Sequence, residues 1–416
     1  MGTPNAYDVL QERGYIAQST HPDELRDLFS KERVTFYCGF DPTASSLHVG
    51  HFIMFMVMRQ LQLMGHRPIV LLGGGTGMVG DPSGRSDMRR VMTIEEIDQN
   101  CANFKKQAER FIEFDDDKGL CLNNAHWLRE LNYIEFLRDI GYHFSINRML
   151  AAECYKTRLE VGLTFTELNY MVMQSYDFLY QYRNYGCRLE LGGNDQWSNI
   201  IGGVELVRRA EGANVYGLTM NLLTKSDGTK MGKTAGGAVW LDRDKMSPYE
   251  FYQYWRNVDD ADVNKCFRLL TFLPIDEIDQ ITAASGAAMN AAKERLAYEI
   301  TKLIHSEADA EEAKAASRAL FSGAVEAGAL PETKMSRTAF ADGYGLLQLL
   351  KDLELTDSVS QARRLVEQGG ISLQDEKITD SKYQVHESDF NSDARLKIRK
   401  GKKTYHLVQL LSLIHI

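Results

Sequence analysis

The sequence predicts a doubly wound α/β domain with a mostly parallel sheet, followed by an α-helical domain and a small α+β domain. Residues 33–41 (RVTFYCGFD) are rich in β-branched and aromatic side chains, as strands are, and residues 51–64 are mostly apolar and helical in pattern. Residues 68–72 are continuously apolar, which is typical of a buried parallel strand. A strand, a helix and a strand in this order make a βαβ unit, the repeat of doubly wound folds.

The same alternation continues along residues 1–246, which we assign to the first domain. Helices are predicted around residues 94–114, 132–140, 166–183 and 199–209, and a further strand is predicted over residues 187–191.

The rest of the chain changes character twice. Residues 247–328 contain helical patterns and no strand-like run, which predicts a separate helical domain. Residues 329–342 are polar and contain the last proline, as linkers often do. Residues 343–416 combine two short helices with short strands and make the predicted small domain, which ends in the apolar run LVQLLSLIHI.

Composition excludes several classes of protein. The chain has 48 lysines and arginines against 57 aspartates and glutamates, so it is not a uniformly basic nucleic-acid coat, and phosphate contacts would need local patches. Six widely separated cysteines without a CxxC pair argue against a disulfide scaffold and favour a reducing cytoplasm. The most apolar early run, residues 52–64, is too short to span a bilayer, so we expect no membrane association.

Residues 48–51 (HVGH) lie at a predicted loop-to-helix junction after the first strand. A helix N-terminus exposes unpaired N–H groups that favour a phosphate, and imidazoles there can donate to its oxygens. Gly50 would let a flat ring lie against the backbone. Taken alone, the pattern is equally compatible with two histidines that cap a helix.

Residues 230–234 (KMGKT) lie far downstream in a glycine-rich segment. Two lysines in such a loop suit a mobile clamp on a polyphosphate. Taken alone, a solvated surface turn is the more common explanation.

Together, HVGH and KMGKT on one α/β scaffold resemble the two signatures of class I aminoacyl-tRNA synthetases, whose catalytic domains are Rossmann-like. The bacterial-type tyrosyl-tRNA synthetases are similar in further segments and in the same order, namely YCGFDPTASSLHVGH, GDPSGR, FTELNYMVMQSYDF, GGNDQW, LLTKSDGTKMGKT and SPYEFYQYW. The segment SQARRLVEQGGISL resembles a small RNA-binding domain shared with a ribosomal protein. The resemblance covers nearly the whole chain.

The resemblance implies a two-step tyrosine–tRNA ligase. Tyrosine and ATP would give tyrosyl-adenylate and pyrophosphate, and the tyrosyl group would then pass to the 3′ end of tRNA(Tyr). ATP is the implied co-substrate, and Mg²⁺ would accompany it on phosphates and water without a dedicated protein metal site. The implied partners are L-tyrosine, tRNA(Tyr) and a second copy of the chain in a homodimer.

The resemblance also implies roles for individual residues. Catalytic contacts are expected from Thr43, His48, His51, Lys230, Lys233 and Thr234. Tyrosine would contact Tyr37 and Asp177 through its phenol, Asp81, Tyr170 and Gln174 through its ammonium, and Gln196 near its carboxylate. ATP would also contact Gly39, Asp41, Gly50 and Asp195, the last through the ribose, and Asp41 also falls in the environment of the tyrosine ammonium. Because phenylalanine would leave buried polar groups of such a pocket unpaired, we expect selection against it without an editing domain.

A cluster of cations near the C-terminus is the candidate RNA-binding surface. It consists of Arg395, Lys397, Arg399, Lys400, Lys402 and Lys403, joined by Arg363 and Arg364 upstream. The alternation in RLKIRK would present cations on one strand face. A solvated basic hairpin is the alternative interpretation.

Five positions, in three segments, differ from the family pattern. Gly232 replaces the serine of the general lysine signature, which removes a hydroxyl donor. Asn194 and Ser198 replace the serine and glycine usual around DQW, and Arg85 and Arg89 occupy a loop where the family often has lysine and arginine.

Four other functions fit parts of the sequence. Residues 75–80 (GTGMVG) match the GxGxxG pattern of dehydrogenases, but Asp81-Pro82 follows at once and leaves no helix N-terminus for a pyrophosphate. A small nucleotidyltransferase would share HxGH but needs no RNA module. A tryptophanyl-tRNA synthetase would not need phenol partners such as Tyr37 and Asp177. An RNA-binding protein that has lost catalysis would not need His48 or Lys230.

Overall fold

The computed structural model describes residues 4–83, 92–234, 237–283, 285–322, 332–401 and 404–411. The chain forms two compact units, one of Met1–Met246 with Tyr254–His305 and one of Ser247–Gln253 with Ser306–Ile416. The helices are α1 (Ala6–Glu12), α2 (Pro22–Lys31), α3 (Val49–Leu63), α4 (Ile94–Ala108), α5 (Ala125–Leu128), α6 (Tyr133–Asp139), α7 (Ile146–Leu150), α8 (Glu153–Val161), α9 (Phe165–Tyr185), α10 (Trp197–Glu211), α11 (Pro248–Arg256), α12 (Val263–Leu270), α13 (Ile275–Thr282), α14 (Ala287–Ile304), α15 (Glu307–Ser322), α16 (Leu346–Asp352) and α17 (Val359–Glu367). The strands are β1 (Ile16–Ser19), β2 (Thr35–Phe40), β3 (Arg67–Leu72), β4 (Leu120–Asn123), β5 (Cys187–Gly193), β6 (Tyr216–Met220), β7 (Lys233–Thr234), β8 (Gly237–Ala238), β9 (Glu332–Ser336), β10 (Tyr344–Gly345), β11 (Ile371–Leu373), β12 (Glu376–Ile378), β13 (Gln384–Val385), β14 (Arg395–Lys400) and β15 (Thr404–Leu411).

The first unit is built on a six-stranded, mostly parallel sheet, which confirms the predicted doubly wound class. Its strand order is β1-β6-β5-β2-β3-β4, and β1 runs antiparallel to β6 while the other neighbours are parallel. Strand β2 pairs with β3 on one side and β5 on the other, so the strand order reverses there. Ligands of open α/β sheets bind outside the carboxyl ends of the strands at such a switch point.

Helix α9 carries several of the predicted site residues. It begins at a capping box, in which Thr164 Oγ1 accepts the Glu167 N–H at 3.2 Å and the Glu167 carboxylate accepts the Thr164 N–H at 3.0 Å. Tyr170, Gln174 and Asp177 follow at spacings of four and three residues, so they share one helix face. That face lies along the carboxyl end of the sheet, because all three residues line the same cavity.

Helices α12–α14 belong to the first unit and α15 belongs to the second. All of them fall within residues 247–328, the stretch predicted as a separate helical domain. The boundaries 1–246 and 247–328 therefore remain a prediction, although the helical character of this stretch agrees with its sequence.

The second unit contains a five-stranded sheet in the order β12-β11-β14-β15-β9. Its inner face packs buried side chains such as Leu396 and Ile398 against Leu350 of α16 and Val366 of α17. Part of the predicted linker 329–342 is not irregular, because residues 332–340 form β9 and a short 3₁₀-helix.

Strand β9 forms there because β15 offers it an open edge. The two strands pair in parallel from Glu332 to Ser336, and Thr333 and Met335 alternate inward with period two. The first five residues of LVQLLSLIHI belong to β15, and residues 412–416 lie outside the described part of the chain.

Candidate active site

A cavity of about 500 Å³ opens at the carboxyl ends of β2 and β5, at the switch point of the sheet. It gathers fourteen of the residues that the sequence singles out: Tyr37, Gly39, Asp41, Thr43, His48, Gly50, His51, Asp81, Tyr170, Gln174, Asp177, Asp195, Gln196 and Lys230. The backbones of Lys233 and Thr234 form β7 close by in the chain, but their side chains lie outside the described part. The predicted site residues therefore converge although they come from segments almost 200 residues apart.

The two histidines of HVGH cap helix α3 and each other. His48 Nδ1 accepts the Gly50 N–H at 3.0 Å, and His51 Nδ1 accepts the His48 N–H at 3.1 Å. The two rings stack with centroids 4.0 Å apart. Since Nδ1 of each ring is an acceptor, a neutral imidazole carries its proton on Nε2, where it can be donated to an anion. Both alternatives raised by the sequence, capping and phosphate donation, are thus compatible in one arrangement.

Burial and glycine shape this junction. Desolvation by burial lowers the pKa of His48 below its ordinary value, so the ring is mostly neutral at pH 7. A Cβ on Gly50 would lie 2.7 Å from His48 Cε1, which a side chain does not tolerate. Gly50 is therefore needed for the His48 ring to lie against the backbone, as the sequence predicts.

Backbone hydrogen bonds hold the KMGKT segment beside HVGH. The Val49 N–H donates to Val239 O at 3.0 Å, and the Val239 N–H donates to Gly232 O at 2.8 Å. The Met231 N–H donates to Leu223 O at 2.8 Å. Met231 is buried, whereas Lys230 is exposed and lines the cavity. The segment is therefore anchored by the apolar Met231 side chain, and Lys230 remains accessible from the cavity.

The glycine of KMGKT has a local structural reason. Gly232 has φ of +84°, a left-handed conformation that favours glycine, and a Cβ there would lie 3.2 Å from Val49 Cβ. Its N–H donates to the Tyr254 hydroxyl at 2.9 Å. A serine at this position would strain the backbone and crowd the start of α3.

The inner end of the cavity is formed by a buried carboxyl group. Asp177 is 2% exposed, and its oxygens accept from Trp127 Nε1 at 2.7 Å and Asn124 Nδ2 at 2.9 Å. Burial raises the pKa of Asp177 to about 8, and the two N–H donors oppose that shift. A ligand hydroxyl that donates to Asp177 would favour the ionised form in the same way.

Tyr37 lies near Asp177 and next to a second buried acid. It pairs across the β2–β5 ladder with Glu190, whose pKa burial raises to about 7. The pKa of Tyr37 is also raised, chiefly by burial and then by Glu190 and Asp177. Gln174 Nε2 donates to Glu190 Oε1 at 2.9 Å. This end of the cavity therefore combines an apolar wall with several convergent polar groups, as specific small-molecule sites do.

A polar network extends from Asp177 through Asn124 and Thr76 to Asp41. Asn124 Nδ2 donates to Thr76 Oγ1 at 3.0 Å, and Thr76 Oγ1 donates to Asp41 Oδ1 at 2.7 Å. The Tyr170 hydroxyl donates to Asp41 Oδ2 at 2.9 Å. Asp41 is thereby held by two hydroxyl groups close to the position predicted for the substrate ammonium.

A second carboxylate, that of Asp81, also lines the cavity. Asp81 Oδ2 accepts from Gln196 Nε2 at 2.6 Å, and Asp81 Oδ1 accepts the Ser83 N–H at 2.9 Å. Asp195 lies on the turn before α10, where desolvation raises its pKa and the nearby Lys230 ammonium opposes the shift. Asn194 Oδ1 accepts from Gln18 Nε2 at 2.7 Å, which anchors the altered GGNDQW turn to β1.

Sequence reasoning missed four polar residues of this site. They are Thr76, Asn124, Trp127 and Glu190. Thr76 and Asn124 follow strands β3 and β4 at the carboxyl edge of the sheet, and this position was the signal that could have indicated them. Trp127 gives no such signal, because a tryptophan after a strand is ordinarily a core residue.

Only some of the predicted RNA-binding cations of the second unit are placed where they could contact RNA. Arg395, Lys397 and Arg399 share the face of β14 opposite the core, as the alternation predicts. Lys400 does not share it, because period two turns it to the other side, where its Nζ donates to Leu355 O at 2.5 Å. Lys397 pairs with Asp375 at 2.5 Å.

Arg363 and Arg364 are exposed on α17. Lys402, Lys403, Arg85 and Arg89 lie outside the described residues.

Three further observations bear on class and environment. Among the residues that the structure describes, no helix combines the length and apolar character that a bilayer span requires. Within the same residues, no group of three or more His, Cys, Asp or Glu side chains has a geometry that suits a metal ion. All six cysteines carry free thiols.

Two family models match consecutive parts of the chain. The model of class I tRNA synthetases (W and Y) matches residues 30–322, and that of the tyrosine–tRNA ligase SYY-like C-terminal domain matches residues 325–408.

Relatives and solved structures agree with these matches. A tyrosine–tRNA ligase of Lachnoclostridium phytofermentans is 57% identical over 97% of this chain and 98% of its own length. One from Acetivibrio thermocellus is 55% identical over 98% of this chain and all of its own length. A C-terminally truncated mitochondrial tyrosyl-tRNA synthetase of Aspergillus nidulans has a TM-score of 0.70 at 31% identity, covering 77% of this chain and 95% of that one.

Proposed function

The chain belongs to the tyrosine–tRNA ligases of the class I aminoacyl-tRNA synthetases, and we propose that it activates L-tyrosine with ATP and transfers it to tRNA(Tyr). In the first step the tyrosine carboxylate attacks the α-phosphorus of ATP, and pyrophosphate leaves. In the second step a hydroxyl of the terminal tRNA ribose attacks the tyrosyl carbonyl, and AMP leaves. Neither step requires a covalent bond to the protein.

One observation carries the proposal: HVGH and KMGKT face one cavity whose inner end holds Tyr37 and Asp177. Negative charge develops on the α-phosphate and on the leaving pyrophosphate during activation. Donors fixed in advance at those positions stabilise the transition state more than the ground state. The Nε2–H groups of the two histidines and the Lys230 ammonium are donors of this kind, and they lie on the same side of the cavity as the start of α3.

The proposed roles of the individual residues follow this division of the cavity. The phosphates contact Thr43, His48, His51, Lys230, Lys233 and Thr234, and the adenosine contacts Gly39, Gly50 and Asp195. The phenol contacts Tyr37 and Asp177. The ammonium lies among Asp41, Asp81, Tyr170 and Gln174, and Gln196 lies near the carboxylate. Asp41 and Asp81 both line the cavity, which supports the ammonium assignment because a cation near them would be stabilised by both carboxylates.

Mg²⁺ would arrive with ATP, coordinated by phosphate oxygens and water, as this hard cation commonly is. The six free thiols favour a reducing cytoplasm as the compartment. For tRNA, we propose contacts from Arg363 and Arg364 and from the face of β14 that carries Arg395, Lys397 and Arg399, with Lys400, Lys402 and Lys403 adjoining in sequence. Exposed arginines without buried partners can neutralise phosphates with little desolvation cost.

We propose further that the chain forms a homodimer through an apolar patch on the first unit. The proposed patch is drawn from the large apolar side chains that are exposed between residues 133 and 165, namely Tyr133, Ile134 and Leu137 of α6, Tyr142, Ile146 of α7 and Phe165 of α9. Ile134 is 70% exposed and Tyr142 is 83% exposed. Monomeric proteins rarely leave such patches uncovered, and closed twofold dimers cover them with the same surface of a second copy.

Replacing Ile134 with aspartate is expected to convert the dimer to a monomer, because each subunit would have to bury an unpaired charge in the apolar interface. Light scattering coupled to gel filtration should report a mass of 47.2 kDa instead of twice that value. The control is Leu63→Asp, at a 58% exposed leucine outside the patch, which should remain dimeric. If the Ile134→Asp variant stays dimeric, the dimer interface does not include this patch.

Exchange of radiolabelled pyrophosphate into ATP, measured with tyrosine, phenylalanine and tryptophan in turn, tests the proposed function. Exchange should depend on tyrosine, and the enzyme should then charge tRNA(Tyr). Exchange that depends on tryptophan would assign the chain to the other branch of its family. RNA binding without any exchange would leave only the interpretation as a catalytically inactive binding protein.

A further inference from the structure

Glu190 lies beside two residues of the proposed tyrosine site, Tyr37 and Gln174, but has no proposed role of its own. It is 2% exposed on β5, directly opposite Tyr37 on β2 in the parallel ladder. Side chains opposite each other in such a ladder share one face of the sheet and are close enough to interact. An acidic side chain so deeply buried is uncommon unless it has a partner or a task.

Three polar atoms around Glu190 are buried and make no hydrogen bond of standard geometry among the described residues, although the Tyr37 hydroxyl and the Glu190 carboxyl group are close enough to interact. They are the Tyr37 hydroxyl, Gln174 Oε1 and Glu190 Oε2. The other oxygen of Glu190 is engaged, because Gln174 Nε2 donates to it at 2.9 Å. Buried polar groups that lack hydrogen bonds cost free energy. Such a cluster beside a binding cavity therefore indicates groups that take part in ligand recognition.

The surroundings of these three atoms limit which groups each of them can bond. Gln174 lines the cavity, and because its Nε2 donates to Glu190, Oε1 is the acceptor of this amide that stays unpaired. On the other side of Glu190, helix α10 leaves no room for another donor, since a Cβ on Gly203 would already lie 3.1 Å from Glu190 Oε2. The Tyr37 hydroxyl is therefore the group with which Glu190 Oε2 can form a hydrogen bond.

We propose that Glu190 is a positioning residue of the tyrosine site, which orients the Gln174 amide towards the substrate ammonium and the Tyr37 hydroxyl towards the substrate phenol. The inference rests on the proposed function, since it concerns the recognition of tyrosine. The raised pKa of Glu190, about 7, adds that the carboxyl group can either donate to or accept from Tyr37 near neutral pH. Glu190 itself touches neither the reacting carboxylate nor ATP in this scheme.

Substitutions at Glu190 separate positioning from a purely structural role. Glu190→Met keeps the length of the side chain but loses both hydrogen bonds, and it should raise the KM for tyrosine about 10- to 100-fold with a smaller change in kcat. Phenylalanine makes no hydrogen bond to Tyr37 in the wild type, so the substitution should weaken the reaction of phenylalanine less than that of tyrosine. The ratio of kcat/KM for tyrosine over phenylalanine should therefore fall at least about tenfold. Glu190→Gln, which can still accept from Gln174 and donate to Tyr37, should restore both values to within about threefold of the wild type.

The measurement is pyrophosphate exchange with each amino acid, with circular dichroism as a check on folding. If Glu190→Met does not fold, Glu190→Asp is the second variant. It keeps a carboxyl group but moves it away from Gln174 and Tyr37, so the tyrosine-to-phenylalanine ratio should also fall. An unchanged tyrosine-to-phenylalanine ratio in the folded variant, or equal damage from Glu190→Gln and Glu190→Met, would overturn the proposal. A wild-type enzyme without tyrosine-dependent exchange would instead contradict the proposed function, so the two failures are distinguishable.

Discussion

Replacing Lys230 with alanine is expected to lower the kcat of tyrosine-dependent pyrophosphate exchange about 10²- to 10³-fold. This is the usual effect of removing one fixed donor from a developing negative charge, about 2.7–4 kcal/mol. Lys230 lines the cavity next to buried Met231, whose backbone N–H is anchored to Leu223 O. Its ammonium is therefore held near the site proposed for the pyrophosphate, and the effect should appear in kcat more than in the KM for tyrosine.

Lys225→Ala provides the matched control. Lys225 belongs to the turn that precedes KMGKT, where its N–H donates to Thr229 O at 2.8 Å, and its side chain does not line the cavity. This variant should keep exchange activity within about twofold of the wild type, because surface substitutions away from special features have small effects. Equal losses in the two variants would mean that the segment contributes through its fold and not through the Lys230 charge.

The second large effect is expected for Asp177→Ala, which should remove most of the preference for tyrosine over phenylalanine. A hydrogen bond to a charged group contributes about 1.5–3 kcal/mol, so the ratio of kcat/KM values should fall about 10- to 150-fold. The activity with tyrosine should fall as well, because Trp127 Nε1 and Asn124 Nδ2 lose the oxygens they donate to. Pyrophosphate exchange with both amino acids measures the ratio.

Asp23→Ala, at an exposed aspartate in the first turn of α2, is the control for this measurement. It should leave the tyrosine-to-phenylalanine ratio unchanged. If Asp177→Ala folds and keeps the wild-type ratio, Asp177 does not contact the phenol, and the inner end of the cavity has been assigned wrongly.

Much of the fold could be predicted because its first βαβ unit has a strong local pattern. The continuous apolar run of β3 and the apolar helix α3 leave few alternatives to a buried parallel arrangement. Strands β1 and β6 were not predicted. Strand β1 has four partly buried residues without alternation, and β6 (YGLTM) contains a glycine that weakens the strand pattern. Their assignment depends on pairing with each other and with β5, which is tertiary information.

The candidate site could be predicted from motifs only where the residue type itself indicates chemistry. His48 and Lys230 carry such a signal, and the structure brings both to one cavity. Glu190 carries none, because an acid in a strand is ordinarily assigned to the solvent-exposed face. Its burial and its position opposite Tyr37 depend on the register between β2 and β5, which local sequence does not specify.

The most direct test of the account is a crystal structure of the protein with tyrosine and a non-hydrolysable ATP analogue. The phenol oxygen should lie within about 3 Å of both the Tyr37 hydroxyl and an Asp177 oxygen. The triphosphate should lie between the start of α3, with His48 and His51, and the Lys230 ammonium. A tyrosine bound elsewhere, or a triphosphate that touches neither HVGH nor KMGKT, would contradict the central claim that these two segments act together on one nucleotide.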